Sequence, residues 1–546
     1  PSATMPPFAN PQSRSFPVTH RSFAFPTLAL LAVALPARAQ TLDTTLDTAE
    51  RFLARALQEA HDTAISSTRE AGPVLAALRT SHDPGLLPIF QSLRQSTIPE
   101  NQMYGMVACA TLSKNSADID LKLLLSVKDT GLVGSAIATL IDADVITNDQ
   151  LQQLVTSAND PAEKAMAAGE LNHRGALKDR SILTALLNSD KDVVRYYAAL
   201  SILETTSIAS TQPGAGGGGG AGGGVNSQET AAALAALNDM SQSHDLRQAP
   251  VQALMIVRAQ KQNITAAGPW IVSIARDPQN DEGLRYTALT ALLTLNNPAA
   301  PAILSDMIQN QHETIQQIKL GLISLEFASH LAPGALDPIV NSRSALAKSV
   351  GTLAQQVAAN PATDITPGLL KLLKDGTPII LDWALVYSDR ADPDRRLALR
   401  SAIINAATIV DENRGADYER AALAAEKCVD DSPAGQRLVG SLLASDNKAV
   451  VEACLAGVYR SDMKNQSSLV SPFFARFTTT PHLETIANYA ALILAREGHS
   501  EALTWLPNMV LGSTVQNPGF RALAGWYYAK LKNQTAPFLQ AALKTP

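Results

Sequence analysis

Leu186 to Leu203 reads LLNSDKDVVRYYAALSIL. An apolar helix end runs into a short polar turn, and a second apolar stripe follows. Val193, Val194, Tyr197, Leu200 and Leu203 recur at steps of three and four, which is the spacing of one helix face. Asp190 or Asp192 is placed to cap the second helix, where acid suits the helix dipole. The arrangement returns as LLLSVKDTGLVGSAIATL from Leu123, LVTSANDPAEKAMAAGEL from Leu154, IARDPQNDEGLRYTALTALLTL from Ile274 and LLASDNKAVVEACLAGVY from Leu442. The turn serines at 126, 157 and 189 set periods of 31 and 32 residues. A helical hairpin of this size cannot bury its apolar face alone, so copies must stack. The expected fold is therefore all-α: an α-α superhelix, or α-solenoid, of stacked helical hairpins.

Composition agrees. Of 546 residues, 46% are hydrophobic, 17% charged and 5% aromatic. The apolar share is ample for a core, and its Ala and Leu bias favours helix over strand.

The pattern L-L-x-S-x-D-x-x-V-R-x-x-A-A-x-x-L resembles a HEAT repeat, in particular the short HEAT-like repeats of phycobiliprotein lyases. The helix-start arginine stands at Val194-Arg195 and Leu284-Arg285, and more loosely at Leu246-Arg247 and Phe520-Arg521. The resemblance implies polar ladders between neighbouring units. A local reading stands beside it: Asp192 and Arg195, and likewise Glu282 and Arg285, lie three apart on one helix face and can pair there. On both readings these four are structural repeat positions.

The organisation expected is a signal peptide over 1–39 and an N-terminal helical cap over 40–83. HEAT-like repeats follow over 84–210. A Gly-rich flexible insertion occupies 211–227, and repeats continue the same solenoid over 228–330. Irregular helical repeats cover 331–440, with Pro361, Pro367, Pro378 and Pro393 at helix boundaries. Residues 441–546 hold C-terminal repeats and a cap, with GFRALAGWYYAKLKN (Gly519 to Asn533) closing that end.

Arg14, His20 and Arg21 precede an apolar run, Phe23 to Leu35, and then Pro36-Ala37-Arg38-Ala39. A basic start, a short apolar core and a small-residue site read as a secretory signal, with cleavage expected after Ala39. An uncleaved anchor is the alternative. The net charge of −6 becomes −9 without the three arginines of residues 1–39. An acidic chain is a poor binder of nucleic acid or anionic membrane. The expected location is periplasmic or secreted, with no membrane span in the mature chain. Cys109, Cys428 and Cys454 sit in helical patterns and read as buried thiols, with a Cys428–Cys454 disulfide as the alternative.

Nine glycines fill Gly214 to Gly224. A phosphate-binding loop needs a following Lys and hydroxyl, and a dinucleotide fold needs strands; this run has neither. The turn serines at 189 and 243 lie 54 apart, about 22 more than the period, so the run reads as an insertion between neighbouring repeats. Ser461-Asp462-Met463-Lys464 fits S-x-x-K and Ser445-Asp446-Asn447 fits S-D-N, but in reversed order and without the third element of that hydrolase class. His is scattered, with no metal-ligand spacing. The turn Ser388 to Arg396 lacks the glycine and spacing of a calcium loop. Trp526, Tyr527 and Tyr528 read as core or capping aromatics, with sugar or peptide stacking as the alternative.

No cofactor is expected. The function expected is an exported, non-enzymatic scaffold that binds an as yet unidentified protein or peptide along one solenoid face. The resemblance implies a lyase-like or cofactor-attachment accessory as the alternative, and Ser461 with Lys464 a cell-envelope serine hydrolase as a weaker one.

Overall fold

The computed structural model describes residues 43–211, 227–328, 331–332, 334–374, 378–388, 392–407, 433–461, 465–512 and 517–544. Of the described residues 77% are helical, and none lies in a strand. The protein is an all-α, solenoid-like stack of 28 described α-helices. The readings that fall on residues 1–39, the glycine run, Cys428 and Lys464 lie outside the described residues.

Two layers of helix arise from two kinds of sequence. Helices such as Asn148–Ser157 and Gly268–Arg276 bury one stripe: Leu151, Leu154 and Val155 in the first, Trp270, Ile271, Ile274 and Ala275 in the second. Their partners bury most of their circumference. Helix Glu484–Arg496 buries Ile486 to Asn488 and Ala490 to Ala495, and Pro518–Leu531 buries Gly519 and Ala522 to Ala529. A helix apolar on all sides must be enclosed by others, and these form the inner layer. Small residues let them approach. At Gly105 a Cβ would stand 2.6 Å from the Phe90 carbonyl oxygen, so helix Pro99–Ser113 can touch Leu87–Leu93 backbone to backbone only without a side chain there.

Neighbours pack in chain order. Pro99–Ser113 lies on Thr130–Asp142, which lies on Pro161–His173, then Asp192–Thr211, Ala249–Lys261 and Glu282–Thr294. Asp192–Thr211 packs against Ser227–Ser241, so the stack runs on across residues 212–226. Further along, Thr314–Phe327 lies on Ala345–Ala359, and Lys448–Arg460 on Glu484–Arg496 on Pro518–Leu531.

The last step departs from expectation. The N- and C-terminal segments do not cap opposite ends of an open superhelix. Pro518–Leu531 packs against Thr44–Asp62 and Ala71–Thr80, and Thr535–Leu543 packs against Thr44–Asp62. The circuit of neighbouring helices returns to its start, and the stack closes into a ring. The reason is apolar demand: each terminal hairpin has a face with no sequential neighbour, and each covers the other's.

Candidate functional site

Several side-chain bonds run between neighbouring hairpins. Lys191 reaches both oxygens of Asp160 at 3.1 Å, 31 residues back. Asp160 meanwhile caps its own helix through the Ala162 amide at 2.8 Å. Burial raises the Asp160 carboxyl, but the Ala162 amide and Lys191 outweigh it and hold it below the usual carboxylate range. Gln150 donates to the Ser116 carbonyl across 34 residues, Arg174 to Ile146 across 28, and Arg476 to Ser445 across 31. His173 meets the buried Glu204 at 2.6 Å, and His244 meets Asp277 at 2.9 Å, 31 and 33 residues apart. Each rung ties one hairpin to the next at about one period.

Asp192 and Arg195 are brought together. Arg195 donates to Asp192 at 2.7 Å and to Asp239 at 2.9 Å, while Gln248 donates to the other oxygen of Asp192 at 2.6 Å. One cluster thus contains both the local pair and the ladder. Its rungs span 44 and 56 residues because residues 212–226 intervene. Glu282 and Arg285 are not paired with each other. Glu282 accepts from Tyr286 at 2.9 Å, from Gln311 at 2.7 Å and from Gln316. Arg285 donates instead to the Ala275 carbonyl at 3.2 Å, an acceptor left over where helix Gly268–Arg276 ends. An open cleft of about 440 Å³ lies beside this pair, walled by Arg276, Tyr286, Ile303 and Met307.

The described members of the hydrolase-like set serve as turn and cap. The Ser461 hydroxyl donates to the Val458 carbonyl at 2.9 Å and accepts from Gln466 at 2.9 Å, neither of which is a base. Ser445 accepts from the Asn447 amide, and Asn447 caps helix Lys448–Arg460 through the Ala449 amide. Among the described residues no group of three or more His, Cys, Asp or Glu is placed to hold a metal ion. Cys109 and Cys454 are buried, and burial pushes the Cys109 thiol upward. Within the stretch read from sequence as a turn, Arg395 lies in helix Pro393–Ala407 and pairs with Asp392 at 3.0 Å, approaching Asp364 at 3.6 Å. No described helix is long and apolar enough to cross a membrane.

Two sets of residues escaped the sequence reading. Helix Gln466–Thr479 has no side-chain cap of its own, and Glu497 supplies one from the next hairpin. Its carboxylate accepts the Gln466 amide at 2.7 Å and the Ser467 amide at 3.0 Å. The signal was an acid one period downstream of an uncapped helix start. The second set is apolar and outward: Leu246 is 72% exposed, Leu254 56% and Ile315 60%. They sit on two hairpins that flank a third.

No model of a known protein family matches this chain, and no characterised protein matches it.

Proposed function

We propose that the protein is an exported, non-enzymatic scaffold of HEAT-like repeats that binds a protein or peptide partner along its solenoid surface. The observation that carries this reading is the pairing of a rigid ladder with outward apolar side chains. Rungs such as Lys191–Asp160 and His244–Asp277 commit these polar groups to holding hairpins in register. Leu246, Leu254 and Ile315 remain in water, where large apolar side chains gain by being covered.

Affinity capture with the full chain, run beside a Leu246→Ser/Leu254→Ser/Ile315→Ser variant, tests it. The expected result is a defined polypeptide retained by the native chain and lost by the variant at unchanged helix content. Retention of the same polypeptide by both would overturn the assignment of these side chains. Export is tested separately by the N-terminal residue of the protein recovered from its native cell, expected at Gln40.

A further inference from the structure

The joint between the first and last described hairpins spans far more sequence than the other contacts between described residues. Trp526 Nε1 donates to Asp83 at 3.0 Å, Lys530 Nζ to the same oxygen at 2.7 Å, and the Tyr528 hydroxyl to Asp43 at 2.7 Å. These bonds span 443, 447 and 485 residues. Between described residues, no other side-chain hydrogen bond spans more than 56. The two sides fit closely. A Cβ on Gly525 would stand 2.6 Å from that of Ala49, and one on Gly519 2.7 Å from that of Ala77. Arg521 lies over the Phe52 ring at 4.7 Å.

Parting this joint leaves the first hairpin held to the next one through Asn101, which bonds the Ile65 amide and the Ala60 and Thr63 carbonyls, and through Arg79 over the Tyr104 ring. It uncovers two surfaces that are complementary to each other but lie at opposite ends of the chain. We infer that the joint is an exchangeable interface whose alternative occupant is a second copy of this chain. The first hairpin of each copy docks on the last hairpin of the other. Reciprocal exchange rebuilds the native joint twice and closes as a two-fold dimer. This inference stands independently of the scaffold reading.

Charge reversal separates exchange from closure. Asp83→Lys places two cations at the joint within one chain, and Lys530→Asp places two anions there. Opposite charges meet again only when the two variants exchange ends. Each variant alone is expected to run as a monomer in size-exclusion chromatography with light scattering, and the equimolar mixture as a one-to-one dimer. The Asp83→Lys/Lys530→Asp double variant restores the pair within a chain and is expected to be a monomer of native helix content. A mixture that stays monomeric while both variants keep that helix content overturns the inference. Should the single variants lose helix, the native chain refolded from denaturant decides. A dimer fraction that grows with refolding concentration supports exchange, and monomer at every concentration overturns it.

Discussion

Asp43 and Asp83 each serve two masters with one carboxylate. One oxygen of Asp43 caps helix Thr44–Asp62 through the Thr45 and Leu46 amides, while the other accepts from Tyr528. One oxygen of Asp83 accepts the Gly85 amide, and the other holds Trp526 and Lys530. Burial raises the Asp83 carboxyl, but bonds from Lys530, Trp526 and Gly85 outweigh it and hold it below its ordinary 3.8. A depressed carboxylate adds stability that is complete above 3.8 and is lost as pH falls below it through the native value. Acid titration followed by tryptophan fluorescence should therefore show loosening below that point, and Asp83→Asn should flatten the dependence; an unchanged titration would refute the role. Gly105→Ala should cost about 1–3 kcal/mol, the usual cost of overpacking, because the Phe90 carbonyl occupies the space. Denaturant unfolding measures it. The sequence placed Asp192 beside Arg195 correctly because their spacing is local. It could not place Arg285 on the Ala275 carbonyl, since that acceptor depends on where the preceding helix stops.

The helix is the scale at which the sequence was most legible. Ala345–Ala359 follows from apolar spacing and the start of Pro393–Ala407 from its proline boundary, because periodicity and capping act within a few residues. The cap on Gln466–Thr479 escaped, since it is supplied from another hairpin. An acid at a helix N-terminus meets both the free amides and the dipole. Glu497→Ala should accordingly cost about 1–2 kcal/mol, the upper part of the range for a lost cap. Glu497→Asp, with a shorter reach, should recover part of that loss. Equal unfolding midpoints for the native chain and Glu497→Ala would refute the assignment. The two-layer arrangement was half legible: one-stripe helices announce themselves, whereas an enclosed helix such as Glu484–Arg496 carries little periodic contrast to read.

At the scale of the whole molecule, closure was invisible in the sequence. A repeat pattern specifies what lies one period away, and no spacing encodes a bond between Asp83 and Trp526. Trp526, Tyr527 and Tyr528 were recognisable as core or end aromatics, but the element they cover lies at the other terminus. Gly525→Leu should wedge this joint open, because Ala49 leaves no room for a side chain. Small-angle scattering is expected to show a larger radius of gyration at nearly unchanged circular dichroism; an unchanged radius would show that the joint tolerates the wedge. Ring closure also changes where the molecule is weakest. In an open array the terminal units fray first. Here amide exchange at both ends should be as slow as in the middle. A ribosome makes Asp83 443 residues before Trp526, so the hairpin that ends at Asp83 waits, half uncovered, for its partner.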